Sequence, residues 1–362
     1  DYALLMDRTQ FDVRIISLDK RSNSANEHFL EEADIPIIYL SELRYSAEQK
    51  LNIIQKVIRK YARYYDLKRI IKEEKPDILH VHLFIGKYLR TISIKQCRIN
   101  LFYTVHNVLE HYYDPTGKNR KKYLAYKEIK RLLKKEDLQL IALHDGMNQE
   151  LREMFKKDRV ISVNKGINLD RLHKDLYDRN AIRVALGIKQ ETYVIGHVGR
   201  FHEQKNHELI MNIFRQICER NMDAHLLLIG EGILRQQVEM QIREWHLEKK
   251  VTILQKRTDI PELMCAMDVF LFPSRWEGFG NVLIEAQSME LPCVVSDKIS
   301  SNVIVNSNVK VVSIVDDVNT WTEAVVEMKN RECVASEKIT DYDIRNSVKK
   351  LEKIYLGKEI PG

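Results

Sequence analysis

The sequence predicts an α/β protein with two doubly wound parallel sheets, each covered by helices on both faces. The chain has 362 residues, which suits two domains of about 150 to 200 residues each. Short apolar strands alternate with helical stretches through both halves, as in βαβ units. The hydrophobic fraction of 44% is ordinary for a globular protein, so each half can form a core.

Short apolar runs mark the candidate strands. The first half has them at residues 13–18, 36–40, 78–82, 101–106 and 140–144, and the second at 193–198, 225–230, 251–254, 269–272, 293–296 and 309–314. The charged segment 168–189 is poor in apolar residues and is the expected linker. We therefore expect a first domain over residues 1–175 and a second over residues 176–341.

Charge is unevenly placed along the chain. The net charge is +6, with +9 in residues 1–180 and −3 in the remainder. Two basic segments, Lys50 to Lys75 and Lys118 to Lys135, also keep apolar residues at helical spacing. Such helices either lie on an anionic membrane surface, hold a phosphorylated acceptor, or are ordinary solvated faces packed on a sheet. Nucleic acid is disfavoured as a partner, because no basic–aromatic binding module accompanies the charge.

Composition also bears on location. No apolar run approaches the roughly 18 residues that a membrane-spanning helix needs, and no signal peptide opens the chain. The five cysteines are scattered and odd in number, which favours free thiols in a reducing compartment. We expect a cytoplasmic protein.

The segment L-F-P-S-R-W-E-G-F-G-N-V-L-I-E, from Leu271 to Glu285, is the most informative in the chain. A helix that begins near Gly280 leaves Glu277 in the preceding loop and places Glu285 in its second turn, so both carboxylates can reach one ligand. The backbone N–H groups at the helix start suit a phosphate or a sugar hydroxyl. They belong to Phe279, Gly280, Asn281 and Val282. The spacing alone also fits an ordinary strand–turn–helix.

This segment resembles the E-x7-E signature of retaining glycosyltransferases of family four. V-I-G-H-V-G-R-F-H-E-Q-K-N (Val194 to Asn206) resembles that family's diphosphate-binding segment. L-L-L-I-G-E-G (Leu226 to Gly232) and L-P-C-V-V-S-D (Leu291 to Asp297) follow in the family's order. The resemblance implies the GT-B architecture, two Rossmann-like domains facing across a cleft, without a cofactor.

The resemblance also implies roles for individual residues. Arg200 and Lys205, on the loop that starts at Gly199, match the cations that stabilise the departing diphosphate. Glu285 matches the residue that accepts both ribose hydroxyls. Glu277 matches the residue beside the sugar, where it either binds hydroxyls or steadies the oxocarbenium-like state.

Histidines in the first half are further candidates. His106 resembles the family histidine that contacts the donor sugar from the first domain, although a strand-end histidine is often structural. His80 and His82 point to the same face of their strand, which makes a metal site conceivable. Without a third ligand at suitable spacing, we prefer an acceptor-side role for His82.

Other segments match the family less well. Residues 256–260, with Arg257 and Ile260, match the turn that binds the base, but Gln255 replaces the usual glycine. N-K-G-I-N around Gly166 departs from the family's N-G-I-D. Asp341-Tyr342-Asp343 fits the D-x-D of metal-dependent enzymes, yet it precedes the last helix, where Asp is favoured as a cap. We expect no metal.

The two ends of the chain differ in how they fit the family. Its members begin with a central strand and a glycine-rich loop, whereas this chain opens at Asp1 with a helical stretch. We expect that first strand to be missing, in a fragment or in a chain without its true start. The run within residues 342–362 resembles the family's last helix, which crosses back to the first domain.

These observations predict a retaining, metal-independent hexosyltransferase (EC 2.4). It would move a hexose from a nucleotide-diphosphate sugar, with UDP favoured, to a glycan or polyprenyl-diphosphate-linked acceptor in capsule or exopolysaccharide synthesis. The basic first half suggests peripheral binding at the inner face of the plasma membrane. The alternative is a catalytically silent nucleotide- or membrane-surface-binding protein of the same fold. A dinucleotide oxidoreductase is disfavoured, because Arg235 replaces the third glycine after Gly230-Glu231-Gly232.

Overall fold

The chain forms two compact units. A computed structural model describes residues 1–18, 25–40, 53–82, 86–106, 108–255, 257–329, 331 and 335–358. Unit 1 comprises Asp1–Asn164 and Ile344–Gly362, and unit 2 comprises Lys165–Asp343.

Unit 1 contains a four-stranded parallel sheet and a separate parallel pair of strands. Its strands are β1 Ile15–Ser17, β2 Ile37–Tyr39, β3 Ile78–His82, β4 Asn100–Thr104, β5 Gln139–Ala142 and β6 Ile161–Ser162. Strands β3 to β6 lie in chain order, and β1 pairs with β2. The helices are α1 Tyr2–Leu5, α2 Ala25–Glu32, α3 Ile53–Glu74, α4 Leu109–Tyr112, α5 Arg120–Lys135 and α6 Asp145–Phe155. We did not predict β6, because two residues are too few to show a pattern.

Unit 2 contains a six-stranded parallel sheet in the order β12-β11-β10-β7-β8-β9. Its strands are β7 Tyr193–Val198, β8 Ala224–Ile229, β9 Val251–Leu254, β10 Val269–Phe272, β11 Cys293–Ser296 and β12 Val309–Val312. The helices are α7 Arg179–Ala185, α8 His207–Glu219, α9 Arg235–Glu244, α10 Ile260–Cys265, α11 Asn281–Ser288 and α12 Val318–Glu327. The central strands are buried along most of their length, which explains why they read as nearly continuous apolar runs.

The division between the units lies earlier than residue 175. Ile167 already belongs to unit 2, where its N–H donates to the Tyr342 carbonyl at 2.8 Å. The expected linker also lies within unit 2, because α7 is anchored to the sheet. There the buried Arg183 donates to the carbonyl of Ala266 at 3.0 Å and to the carboxylate of Asp268 at 2.7 Å.

The last helix, α13 Ile344–Tyr355, belongs to unit 1. Its apolar face packs into a core cluster with strands β4 and β5, including Phe102 and Ile141. The Ser347 hydroxyl donates to the Asn164 carbonyl at 2.7 Å. Sequence-distant segments therefore complete the core of unit 1.

Loops after neighbouring strands of unit 2 meet at one edge of its sheet, because all six strands are parallel. The loop after β7 and the loop after β8 approach so closely that a Cβ on Gly230 would lie 2.0 Å from the Gly199 carbonyl oxygen. Only glycine fits there. This contact fixes the two loops against each other at the edge where the predicted donor-site residues lie.

Candidate donor-sugar site

The E-x7-E segment forms the strand, loop and helix that the sequence predicts. Helix α11 begins at Asn281, one residue after the expected start, and Glu285 lies in its second turn. Gly280 precedes the helix with φ of 80°, a left-handed conformation that favours glycine. Glu277 remains in the loop between β10 and α11.

An ion pair joins Glu277 to the loop after β7. Lys205 lies in the 3-10 helix Glu203–Lys205, and its Nζ donates to Glu277 Oε1 at 2.6 Å. The two side chains are only 13% and 9% exposed. The Lys205 ammonium also lies 4.5 Å from the centroid of the Phe272 ring, at the end of β10. The adjacency of β7 and β10 therefore brings together a cation and a carboxylate that are 72 residues apart.

Gly199 leaves room for the Lys205 side chain. A Cβ at this position would lie 3.0 Å from Lys205 Cδ and 2.9 Å from the Nε2 atom of His197. His197 is fully buried, and its Nδ1 is 2.8 Å from the Leu271 carbonyl oxygen. Because a carbonyl only accepts, Nδ1 carries the proton and Nε2 presents a lone pair beneath the loop. Burial holds the pKa of His197 well below its ordinary value.

The sequence analysis did not identify His197. Its Nε2 is a buried ring nitrogen without a hydrogen-bond partner in the described part of the chain. The pattern that could have signalled it is a polar residue within the otherwise apolar run of β7.

Glu285 lies in the electrostatic field of Lys165. Burial raises the pKa of Glu285, and the positive charge of Lys165 opposes that shift. The pKa of Lys165 is lowered by its own desolvation, and the Glu285 carboxylate acts in the opposite direction. The sequence analysis noted Lys165 only as a departure from the family pattern. Lys165 is 120 residues from Glu285 in the chain, so the sequence does not show that the two are close in space.

The start of α11 contains an unsatisfied acceptor. The Asn281 side-chain oxygen is buried and has no hydrogen-bond partner among the residues that the structure describes. A hydroxyl of a bound ligand would supply one. Gly280 has no side chain to cap the first N–H groups, including that of Val282. Phe279 is buried, with its ring 5.6 Å from that of Tyr342.

The remaining residues predicted for the donor site lie in exposed loops or at a helix start. Arg200 is exposed on the loop after β7. Arg257 forms a bidentate ion pair with Asp259, in which Arg257 Nε lies 2.8 Å from Asp259 Oδ1. Ile260 begins α10, and Lys256, also in the predicted base-binding turn, lies outside the described residues.

Histidines of unit 1 form a chain at the ends of β3 and β4. His82 Nδ1 lies 2.9 Å from His106 Nε2, so the predicted acceptor-side residue contacts the histidine that we predicted to contact the donor sugar. The rings of His80 and His82 stack at 4.3 Å, as their shared strand face predicts. His80 is held by the Thr104 hydroxyl, 2.7 Å from its Nε2, and by the Tyr355 hydroxyl at Nδ1.

Burial and the neighbouring histidines hold the pKa of His80 well below its ordinary value. We therefore assign His80 a neutral, supporting role beneath His82. Within the described ranges, no group of three or more His, Cys, Asp or Glu side chains is arranged to hold a metal ion.

Comparison with known proteins identifies related chains over both units. A family model described as "Glycosyltransferase Family 4" matches residues 3–171, and one described as "Glycosyl transferases group 1" matches residues 192–330. EpsF of Bacillus subtilis strain 168, named as a glycosyltransferase, is 32% identical over 213 residues. That match covers 58% of this chain and 56% of EpsF, so it spans just over half of that relative.

A second relative matches more of its length. It is the Escherichia coli UDP-Gal:alpha-D-GlcNAc-diphosphoundecaprenol alpha-1,3-galactosyltransferase, 27% identical over 303 residues, covering 80% of this chain and 78% of that enzyme. Among solved structures, Anabaena HepE in complex with UDP-glucose superposes with a TM-score of 0.71 at 17% identity. That superposition covers 98% of this chain and 95% of HepE.

Proposed function

The chain belongs to glycosyltransferase family 4 and has the GT-B fold, and on this basis we propose that it is a retaining, metal-independent hexosyltransferase. Its donor is a nucleotide-diphosphate sugar, with UDP as the favoured nucleotide. Its acceptor is a glycan or a polyprenyl-diphosphate-linked saccharide in surface polysaccharide synthesis.

The observation that carries this proposal is the Lys205–Glu277 ion pair, beside the start of α11. Departure of a nucleoside diphosphate leaves negative charge on oxygen and positive charge on the sugar. A cation and a carboxylate fixed side by side suit these two charges, because they need little reorganisation when the charges develop. Without a ligand, the two groups neutralise each other in their largely buried setting.

Binding of the donor would divide this pair between the two halves of the substrate. Lys205 would turn to the diphosphate, with Arg200 as a second cation from the same loop. Glu277 would face the sugar, and Glu285 would accept the ribose hydroxyls. The unsatisfied oxygen of Asn281 would accept a further ligand hydroxyl.

The relatives support the choice of donor and acceptor. The name of the E. coli enzyme specifies a UDP-sugar donor and a diphosphoundecaprenol-linked acceptor. A UDP-sugar and a lipid-linked saccharide are therefore our proposed substrates. With such an acceptor, we propose that the reaction takes place at the cytoplasmic face of a membrane.

Calorimetric titration with UDP, GDP and ADP tests the donor site. We expect UDP to bind more tightly than GDP or ADP, and Lys205→Ala and Glu285→Ala each to weaken UDP binding at least tenfold. Lys310→Ala is a matched control, since Lys310 forms a 2.6 Å ion pair with Glu327 in which the side chains are 40% and 51% exposed. Failure of all three nucleotides to bind the wild-type chain would refute the proposed donor site.

Hydrolysis of the donor distinguishes a transferase from a catalytically silent binding protein of the same fold. A slow release of UDP from UDP-hexoses, abolished by Lys205→Ala, supports the transferase. UDP binding without hydrolysis or transfer, across a panel of UDP-hexoses and lipid-linked acceptors, would instead favour the catalytically silent binding protein.

A further inference from the structure

We propose that a cavity in unit 2, next to the candidate donor site, is a second binding site that takes a neutral saccharide. The cavity has a volume of about 430 Å³ and lies between the start of α8, helix α9 and the loop after β10. Its polar and aromatic lining comprises Glu203, Glu208, Gln237, Gln241, Arg275 and Trp276. The proposal rests on the proposed function only for the source of the saccharide.

The cavity is built on the core of unit 2. Val238 is 2% exposed and belongs to the main core cluster, and Leu234 packs against that cluster. Both residues line the cavity. Its volume also falls within the range of roughly 300 to 1,000 Å³ that is typical of small-molecule sites. The cavity therefore has the size and the fixed base that a small ligand needs.

A buried histidine at the start of α8 also lines the cavity. His207 is 2% exposed, and neither of its ring nitrogens has a hydrogen-bond partner within the described ranges. Its ring stacks on that of Phe201, with the centroids 4.2 Å apart. Burial, helped by the charge of Lys205, lowers the pKa of His207 to about 4, so the ring is neutral near pH 7. A neutral imidazole has one donor and one acceptor, which suits a hydroxyl because a hydroxyl also does both.

The charges of the lining disfavour an ionic ligand. One arginine stands against two glutamates, which leaves a net charge of −1. Arg275 donates to the Asn206 side-chain oxygen at 3.0 Å and lies 3.8 Å from Glu208. A phosphate or carboxylate would therefore meet a cation that is already paired and a negative surround. In the part of the chain that the structure describes, no cluster of three or more His, Cys, Asp or Glu side chains suits a metal ion.

A saccharide matches each kind of group in the lining. Gln237 and Gln241 lie one turn apart on α9 and therefore share a face. Their amides donate and accept hydrogen bonds, and the Glu203 carboxylate accepts them. Trp276 is half-buried and offers apolar ring surface to the C–H groups of a sugar ring. An apolar ligand would instead leave polar groups of the lining without partners, which costs affinity.

The cavity shares two chain segments with the candidate donor site. The Arg275 N–H donates to the Gln204 carbonyl at 2.8 Å, and Gln204 Nε2 donates to the Trp276 carbonyl at 2.8 Å. Trp276 lines the cavity, whereas the next residue, Glu277, forms the ion pair with Lys205. A saccharide in the cavity is therefore held one residue away from the carboxylate that we assign to the donor sugar.

Under the proposed function, the saccharide is a unit of the glycan that the enzyme extends. A free hexose has the same hydroxyl chemistry and is the other possible source. Tighter binding of maltotriose than of methyl α-D-glucopyranoside would identify a glycan chain as the ligand. Equal affinity would identify a single sugar unit, and either result supports a saccharide site.

Saturation-transfer difference NMR of the full chain tests the proposal, with UDP at saturating concentration to fill the donor site. The probes are methyl α-D-glucopyranoside, methyl α-D-galactopyranoside and methyl N-acetyl-α-D-glucosaminide at millimolar concentration. We expect saturation transfer to at least one of them. Acetate and choline represent anionic and cationic ligands, and neither should show transfer.

Variants locate the binding. Gln237→Ala/Gln241→Ala removes two amides of the lining and should weaken glycoside binding about tenfold, because hydrogen bonds to the ligand are lost. Gln236→Ala is the matched control, since Gln236 is exposed on the same helix and is not part of the lining. His82→Ala, in unit 1, separates the cavity from the predicted acceptor side. Both of these variants should bind the glycoside as the wild type does.

Tryptophan fluorescence provides a direct reading of the cavity. Trp276 lies in the lining, whereas Trp321 is buried in the core and Trp245 packs against it. Titration with the glycoside should change the fluorescence of the wild type and of Trp245→Phe. Trp276→Phe should remove that change.

Three results would overturn the proposal. They are equal glycoside binding by the wild type and Gln237→Ala/Gln241→Ala, no transfer to any of the three glycosides, and transfer to acetate or choline in their place. Calorimetry of UDP reports on the donor site by itself. Absence of UDP binding would count against the proposed function, and absence of glycoside binding against the cavity, so the two failures are distinguishable.

Discussion

Lys205 and Glu277 form a 2.6 Å ion pair between two loops at the carboxyl edge of the unit 2 sheet. The pair depends on β7 lying beside β10, which places the loops after these strands next to each other. It is nearly enclosed, so each charge depends on the other for its stabilisation.

Under the proposed function, replacing Lys205 by Met should lower the rate of hexose transfer about 100- to 1,000-fold, because a preorganised charge that would stabilise the leaving diphosphate is lost. Glu277→Gln should also lower the rate, with little effect on the affinity for UDP, because we assign that carboxylate to the sugar. Steady-state kinetics together with calorimetry of UDP distinguish the two. The exposed pair Lys310–Glu327 supplies control variants that should retain full activity.

The affinity for UDP should fall as the pH is lowered from about 7 toward 5, because burial raises the pKa of Glu285 above its ordinary value. In the proposed donor site, protonation removes the charge that would accept the ribose hydroxyls. Lys165→Met should move this loss to higher pH, since Lys165 opposes the rise in the Glu285 pKa. Calorimetry across this pH range measures both effects.

Folding stability provides a second consequence of the same shift. A carboxyl whose pKa is raised in the folded state binds its proton more tightly there, so its contribution to stability is present at low pH and is lost as the pH rises through the folded pKa. We therefore compare the free energy of unfolding of Glu285→Gln with that of the wild type at two pH values. The difference should favour the variant more at neutral pH than at pH about 4. An unchanged difference between the two proteins across this range would contradict the assigned shift.

Gly280→Ala should destabilise the protein by about 1 to 2 kcal/mol, because φ of 80° is unfavourable for a side chain. It should also weaken UDP binding by altering the start of α11. Gly187→Ala is the matched control, since Gly187 has φ of 69° and nothing within 4 Å of an added Cβ. Chemical denaturation should show a similar loss for both, and calorimetry should show weaker UDP binding only for Gly280→Ala.

His82→Ala should lower activity through His106, because the 2.9 Å contact between their ring nitrogens fixes the orientation of the second ring. The expected result is non-additive. In a His106→Ala background, the His82 change should cost much less than it does alone, with a coupling of about 1 kcal/mol. Additive losses in a double-mutant cycle would show that His82 acts independently, for example by contacting the acceptor itself.

Local patterns in the sequence located the strands because these strands are short apolar runs bounded by polar loops. The six strands of unit 2 all lie at or within a few residues of the expected positions. The start of α11 was also predictable, since Gly280 and the spacing from Glu277 to Glu285 are local features. The boundary between the units was harder to predict from the sequence, because it depends on the hydrogen bond between Ile167 and Tyr342, which are far apart in the chain.

The sequence by itself therefore determined the fold class, the family and the loop that carries the two glutamates, since these follow from periodicity and short-range spacing. Tertiary structure decided which distant residues meet. The order of strands in the sheet brought Lys205 to Glu277, and adjacent strand ends brought His82 to His106. Packing also decided that α3 buries Leu67 and leaves Tyr61 and Tyr65 in solvent. A helix with apolar residues on more than one side does not reveal in its sequence which side the rest of the protein covers.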